Sequence, residues 1–497
     1  MKTKSKKTRK TDNTRKLRQR LEPIIGNEDW DGICQILQEH QHQHATATDG
    51  NRRTIAVRKE KLLKVFISNE LQFELVNKKE NEKAEALLLI LIEWGGMDLV
   101  MEKSRKDSYA RNLLQYACSK GTSIEIISKL IEIGGRELVF AKNKHNWNSL
   151  HFSCYEQNKI SIDVVSKLIE VGGRDLVIEQ GDWDFSPLHF ACQRGSSMEV
   201  ISKLVEIGGR DLVLAKNSSG GHRNALHFAT ANEGVSIDVL DLLIQIGGVD
   251  VLTQMDQYGK TPLTIIITQN IRLYPEAYKR AVVEKTALFI RKGIELQIEE
   301  YSIGGIFNNY RAPHHMRDIA HDHQRWSEII LPALERAIDF LNSQHQHGIR
   351  HLPILHAVIM DNAPPPIIKD VVNRFVESVN RTDSFGQLPI DVAVKRKLSW
   401  NGGMEHIIKA FLSSQEESST VFRVCLKNGL SWENGMRAVM QRVNINDIER
   451  QDEITGLYPF MLAAVRNEED RYKNYDLGSI FHLVMRSPTR LVRKHSS

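Results

Sequence analysis

The chain has 497 residues, 41% of them apolar and 26% charged, with a net charge of +5. That is a globular composition, with length for about three domains, and it excludes a chain disordered throughout. The longest unbroken apolar run is the seven residues Ala86 to Ile92, far short of the ~20 that a membrane span needs.

Residues 1–20 hold ten Lys/Arg and one acid, Asp12, a net of +9. The other 477 residues therefore sum to −4. So neutral a body does not match a nucleic-acid backbone, and no nucleic acid is expected on the folded part. The tail has one apolar residue after Met1, Leu17, and so lacks the apolar stretch of a secretory signal. It is expected to be disordered. Its run Lys4–Ser5–Lys6–Lys7–Thr8–Arg9–Lys10 reads as a solvated basic arm, as a nuclear import address, or as a contact for an anionic membrane or nucleic acid. The five cysteines show no C-x-x-C spacing. A reducing compartment is the simplest expectation: cytoplasmic, or nuclear if the tail is an import signal.

Residues 21–85 carry helical spacing at 28–38 and 55–76, expected as a cap on the first repeat. Residues 86–270 then repeat themselves. ISKLIEIGGREL at 127–138 returns as VSKLIEVGGRDL at 165–176 and ISKLVEIGGRDL at 201–212. Looser copies flank them at 88–99 and 240–251, and the first glycines, Gly95, Gly134, Gly172, Gly208 and Gly247, step by 36 to 39 residues. A second motif interleaves: LQYAC at 114–118, LHFSC at 150–154, LHFAC at 188–192 and LHFAT at 226–230. Both motifs place small and apolar residues at i, i+3 and i+4, one face of a helix. The unit reads as short helix, loop, long helix, a stop at the glycine pair, then a polar connector.

Residues 271–349 break the period and read as long helices at Ala277–Ile294 and Arg325–Leu341, with Pro332 a kink. The first-helix motif returns at Leu355–His356–Ala357 and Ile390–Asp391–Val392–Ala393, and degenerate units run through 350–490, ahead of a short tail at 491–497.

L-H-x-A in a first helix, followed by a Leu-rich helix ending in Gly, resembles the ankyrin repeat. Asp256–Gln257–Tyr258–Gly259–Lys260–Thr261–Pro262–Leu263 and Asp383–Ser384–Phe385–Gly386–Gln387–Leu388–Pro389–Ile390 resemble its turn. The period is longer than the usual 33 residues, and Asn148–Ser149 and Asn224–Ala225 depart from its Thr-Pro element. The resemblance implies an all-α fold: an ankyrin-like α-solenoid of stacked helix-turn-helix repeats with short hairpin-like connectors. It also implies that His151, His189, His227 and His356 tie their helices to neighbouring backbone, rather than binding a metal.

Cys118, Cys154 and Cys192 fill the small-residue slot of the same helix. Arg136, Arg174 and Arg210, each followed by an acid, form a row, as do Glu132, Glu170 and Glu206. These are surface ion pairs or a stripe for an acidic or phosphorylated ligand. His40, His42 and His44 alternate with Gln; His314, His315, His321 and His323 lie near Asp318 and Asp322. They lack the spacing of known zinc motifs and read as solvated loops, with a metal site at 314–323 the alternative. Gly209–Arg210–Asp211–Leu212 echoes a kinase catalytic loop but has no His before Arg210. No phosphate-binding, dinucleotide-binding or nucleophile motif is present, so no enzyme, cofactor or small-molecule substrate is expected.

The expected function is a non-catalytic scaffold that binds a protein partner through connector tips and concave face. The alternative is an adaptor linking a client to an enzyme through 271–349. Recognition is expected where the repeats differ: His145, Trp147, Asp182, Trp183, His222, Arg223, Gln257 and Tyr258. Against that, the rings of Trp147, Trp183 and Tyr258 would fold onto the next repeat, Trp183 beside Phe185 above all. A capped array is expected to be a monomer.

Overall fold

The computed structural model describes residues 70–78, 81–155, 161–219, 221–268, 275–296, 322–343, 353–360, 363–383, 385–414, 430–451, 456–464 and 477–486, with positions 29, 32, 33, 35, 36, 63, 422, 423, 425 and 426 besides. The basic tail, most of the expected cap, and His40, His42, His44, His314, His315, Asp318 and His321 lie outside them. Among the described residues the regular elements are helices, with no strand, and no helix is long and apolar enough to cross a membrane. The chain divides into two compact units, Met1–Gln257 and Tyr258–Ser497. The division falls ahead of the boundary expected after residue 270.

The first unit alternates short and long helices: α1 Leu71–Asn77, α2 Glu82–Met101, α3 Leu113–Lys120, α4 Ile124–Phe140, α5 Ser149–Tyr155, α6 Ile162–Ile178, α7 Pro187–Arg194, α8 Met198–Leu214, α9 Ala225–Ala231 and α10 Ile237–Thr253. Each short helix packs on the long one after it; short helices contact short ones in sequence, and long contact long. The core lies between these two rows. In α8 it takes Val200, Ile201, Leu204, Val205, Leu212 and Val213.

The short helices start on one device. The N-cap side chain of Asn112, Ser186 or Asn224 accepts the N–H three residues on, and that residue's side chain accepts the N-cap N–H in return. Asn148 and His151 make the same pair. Asn112, Asn148 and Asn224 thus serve where Ser186 does in α7, because the carboxamide oxygen caps as a hydroxyl does.

The long helices do not stop at their glycine pairs, as expected; they bend and resume. In α6 the second glycine, Gly173, has φ 65° and ψ −157°, a region essentially closed to side chains. A Cβ on the first, Gly172, would lie 2.5 Å from Leu176 Cβ. Steric exclusion fixes one glycine and backbone conformation the other. The turn beyond the bend returns Leu176 and Val177 to the core, both fully buried. The bend recurs at Gly96, Gly135, Gly209 and Gly248.

Arg136, Arg174 and Arg210 sit just past these bends. Arg136 reaches Asp175 at 2.9 Å and the carbonyls of Val171 and Gly172 at 3.2 Å. Arg174 reaches Asp211 and Gly208 O, and Arg210 reaches Asp250 and Ile246 O. Each arginine thus satisfies carbonyls that the next helix frees at its bend. Val249 stands at this position in α10, and the ladder ends there.

The second unit holds α11 Pro262–Thr268, α12 Glu276–Glu295, α13 Leu331–Ser343, α14 Ile354–Met360, α15 Pro365–Arg374, α16 Pro389–Lys395, α17 Glu405–Ser414 and shorter helices to Arg486. The long α12 and α13 pack together; α14 then contacts α16, and α15 contacts α17, which restores the paired rows. Pro332 lies in the first turn of α13, behind a π-helical turn at Trp326–Ile330.

Candidate functional site

Each long helix of the first unit leads through a turn to the next short helix. Asn143 N–H donates to Trp147 O at 3.0 Å, and Gly181 N–H to Phe185 O at 2.9 Å. Asn143 Oδ1 also accepts the N–H groups of His145 and Trp147, at 2.9 and 2.8 Å. A short polar side chain in first place therefore folds a five-residue turn. In the second unit Asp383 does the same for Phe385 and Gln387, at 2.8 and 2.9 Å. The turn from Asn217 to Arg223 is wider, and Asn217 Oδ1 accepts Arg223 N–H at 2.7 Å.

Neighbouring turns are laced by main chain. Asp182 N–H donates to His145 O and Ser218 N–H to Trp183 O, both at 2.9 Å, and Gln257 N–H donates to Gly221 O at 2.6 Å. Side chains add to this. Asp182 accepts from Asn146 Nδ2 at 2.7 Å and lies 3.4 Å from His145 Nδ1. Arg223 Nε lies 3.3 Å from Asp256.

Rings three residues before the leucine or isoleucine of the next short helix face in; of those five before, Trp183 and Tyr258 face solvent while Tyr109 packs on Trp147 and Phe152. Three before that residue stand Arg111, Trp147, Phe185, Arg223, Lys260 and Gln387; five before stand Tyr109, His145, Trp183, Gly221, Tyr258 and Phe385. Trp147, expected at a tip, is only 6% exposed. Its ring meets Phe190 at 4.8 Å, Tyr155 at 5.0 Å and Phe152 at 5.5 Å. Phe185 stacks on Phe190 at 5.0 Å. Trp183, expected to fold beside Phe185, is instead 58% exposed at the crown of its turn, and Tyr258 is 56% exposed. His222 and Gln257 are also exposed, while His145, Asp182 and Arg223 are half-buried. Phe385, 67% exposed, was missed; its place five residues before Ile390 is the signal that finds it.

The histidines are buried in the scaffold. His151 Nε2 meets Phe185 O at 3.1 Å, His189 Nε2 meets Ala215 O at 2.9 Å, and His356 Nε2 meets Gln387 O at 2.8 Å. Burial lowers the pKa of His151 to about 3 and of His189 to about 4; both rings are neutral and donate through Nε2. Burial pushes the Cys118 thiol up to about 12, and raises Cys154, Cys192 and Cys425 as well, which keeps them protonated. Among the described residues no three His, Cys, Asp or Glu side chains are grouped to hold a metal. What remains exposed and chemically distinctive is the row of turns. No family model matches the chain, and no curated protein is similar to it.

Proposed function

We propose that the chain is a non-catalytic scaffold of the ankyrin-like solenoid type that binds a protein partner along its row of turns. The two rows of helices, the five-residue turns and the histidine-to-backbone ties support that reading of the fold. The observation that carries the function is Trp183: a large ring, mostly in solvent, on a turn held to the turns on both sides. Such a ring presents apolar area at small entropic cost, as interface anchors do.

The test is capture of partners from a lysate by the intact chain and by Trp183→Ala, with mass-spectrometric identification and matched thermal melts. Loss of a partner with Trp183 supports the reading; an unchanged partner set refutes it. The division into two compact units favours the adaptor as a second reading. It acts through residues 271–349, and requires Trp183→Ala and Phe340→Ala to lose different partners.

A further inference from the structure

We propose that the crown at Trp183 binds a lysine or arginine side chain on a cationic segment of the partner; this rests on the turns being the docking edge. Several partly exposed rings of this chain carry a cation of their own. Arg136 lies over Phe140 at 4.5 Å, Arg194 over Tyr155 at 4.5 Å, and Arg291 over Phe340 at 4.1 Å. Trp183 has none among the described residues, although it is the best cation-binding ring type.

The flanking charges specify the occupant. Asp182 and Asp184 bracket the ring. Asp184 is exposed and forms no ion pair among the described residues. Lys142 is paired with Glu179 at 2.8 Å and Lys216 donates to Met255 O at 3.4 Å, while Lys144 is exposed on the adjoining turn. Residues 70–257 hold 27 Asp/Glu against 20 Lys/Arg, a net of −7, so the longer-range field also draws cations in. An anionic group would be repelled by both carboxylates. An apolar side chain would desolvate them without compensation. Asp182 already accepts from Asn146 and lies beside His145, so an ammonium or guanidinium satisfies the ring face and the Asp184 carboxylate together.

The experiment measures fluorescence anisotropy of a labelled peptide of repeated Lys-Arg-Gly triplets. It is titrated into the full chain and into the chain from Leu21 onward, because the ten Lys/Arg of residues 1–20 compete. The expected result is binding that weakens with salt. Affinity falls about 10-fold in Trp183→Ala, less in Trp183→Phe, and several-fold in Asp184→Asn. Trp183→Asn, which suits the turn, repeats the loss in a chain at least as stable. No binding to either chain, or binding indifferent to Trp183 and Asp184, overturns the proposal. If lysate partners are lost with Trp183 while the peptide fails to bind, the cationic class is wrong and the docking edge stands. If neither readout depends on Trp183, both are wrong.

Discussion

Trp183 is costly to hold where it stands. It and Asp184 have φ of 60° and 58°, a left-handed pair for which Asn-Gly is the favoured sequence. An L-residue there costs roughly 1–2 kcal/mol. Trp183→Asn is therefore expected to raise unfolding stability by about 1 kcal/mol in urea melts while abolishing partner capture. A ring kept for structure alone would give a loss of stability instead. Gly181 makes the opposite case. Its φ of −90° suits any residue, but a Cβ would lie 2.3 Å from Trp147 Cδ1. Gly181→Ala should cost about 1–3 kcal/mol by overpacking, seen as a lowered Tm. Composition could not separate Trp147 from Trp183, since both lie in polar connectors. Their offsets from Leu150 and Leu188 differ, three residues against five, and the third residue turns back inward in both turns.

Among the elements, the long helices show where sequence reading falls short. The glycine pair is as legible as any motif in the chain, yet a stop and a bend look alike until the Leu-Val pair beyond it is weighed as core. Two substitutions should fail for separate reasons. Gly172→Ala drives a Cβ into Leu176 Cβ, so trimming Leu176 to Ala cannot rescue it. Gly173→Asn strains the backbone, because a ψ of −157° lies outside the left-handed region that Asn tolerates. Each should cost about 1–3 kcal/mol in denaturant melts. The short helices carry the pH dependence. His151 and His189 titrate at about 3 and 4 when folded and near 6.5 when unfolded. The unfolded chain therefore binds the extra protons between those values. Their contribution is complete above pH 6.5 and is lost as pH falls, toward 4 for His189 and toward 3 for His151, at about 1.4 kcal/mol per pH unit per histidine. Gln115 fills the same position in α3, with Nε2 on Ala141 O and Trp147 O. His151→Gln with His189→Gln should hence flatten the acid limb of the urea midpoint against pH.

At the scale of the molecule, contacts of the first unit run between neighbouring helix pairs, so damage should stay local. Hydrogen exchange of Gly172→Ala is expected to quicken in α4, α6 and α8 and to leave α12 and α13 unchanged; uniform quickening would contradict this. The paired rows of the first unit were legible because the repeat is nearly literal. The division at Gln257 was partly legible, in the change from Arg to Val249 that ends the arginine ladder. The pairing of α12 with α13 was less so, since two helices outside the repeat give no register to read.

Main-chain bonds lace each turn to the next, and side chains such as Asn146 and Asp182 only add to them. Spacing from crown to crown is thus independent of which side chain each crown carries. The backbone works as a ruled line, and the crown residues as characters written on it. On the proposed reading, changing a character would alter what is recognised without moving the line, and the edge would take new partners by single substitutions at constant pitch.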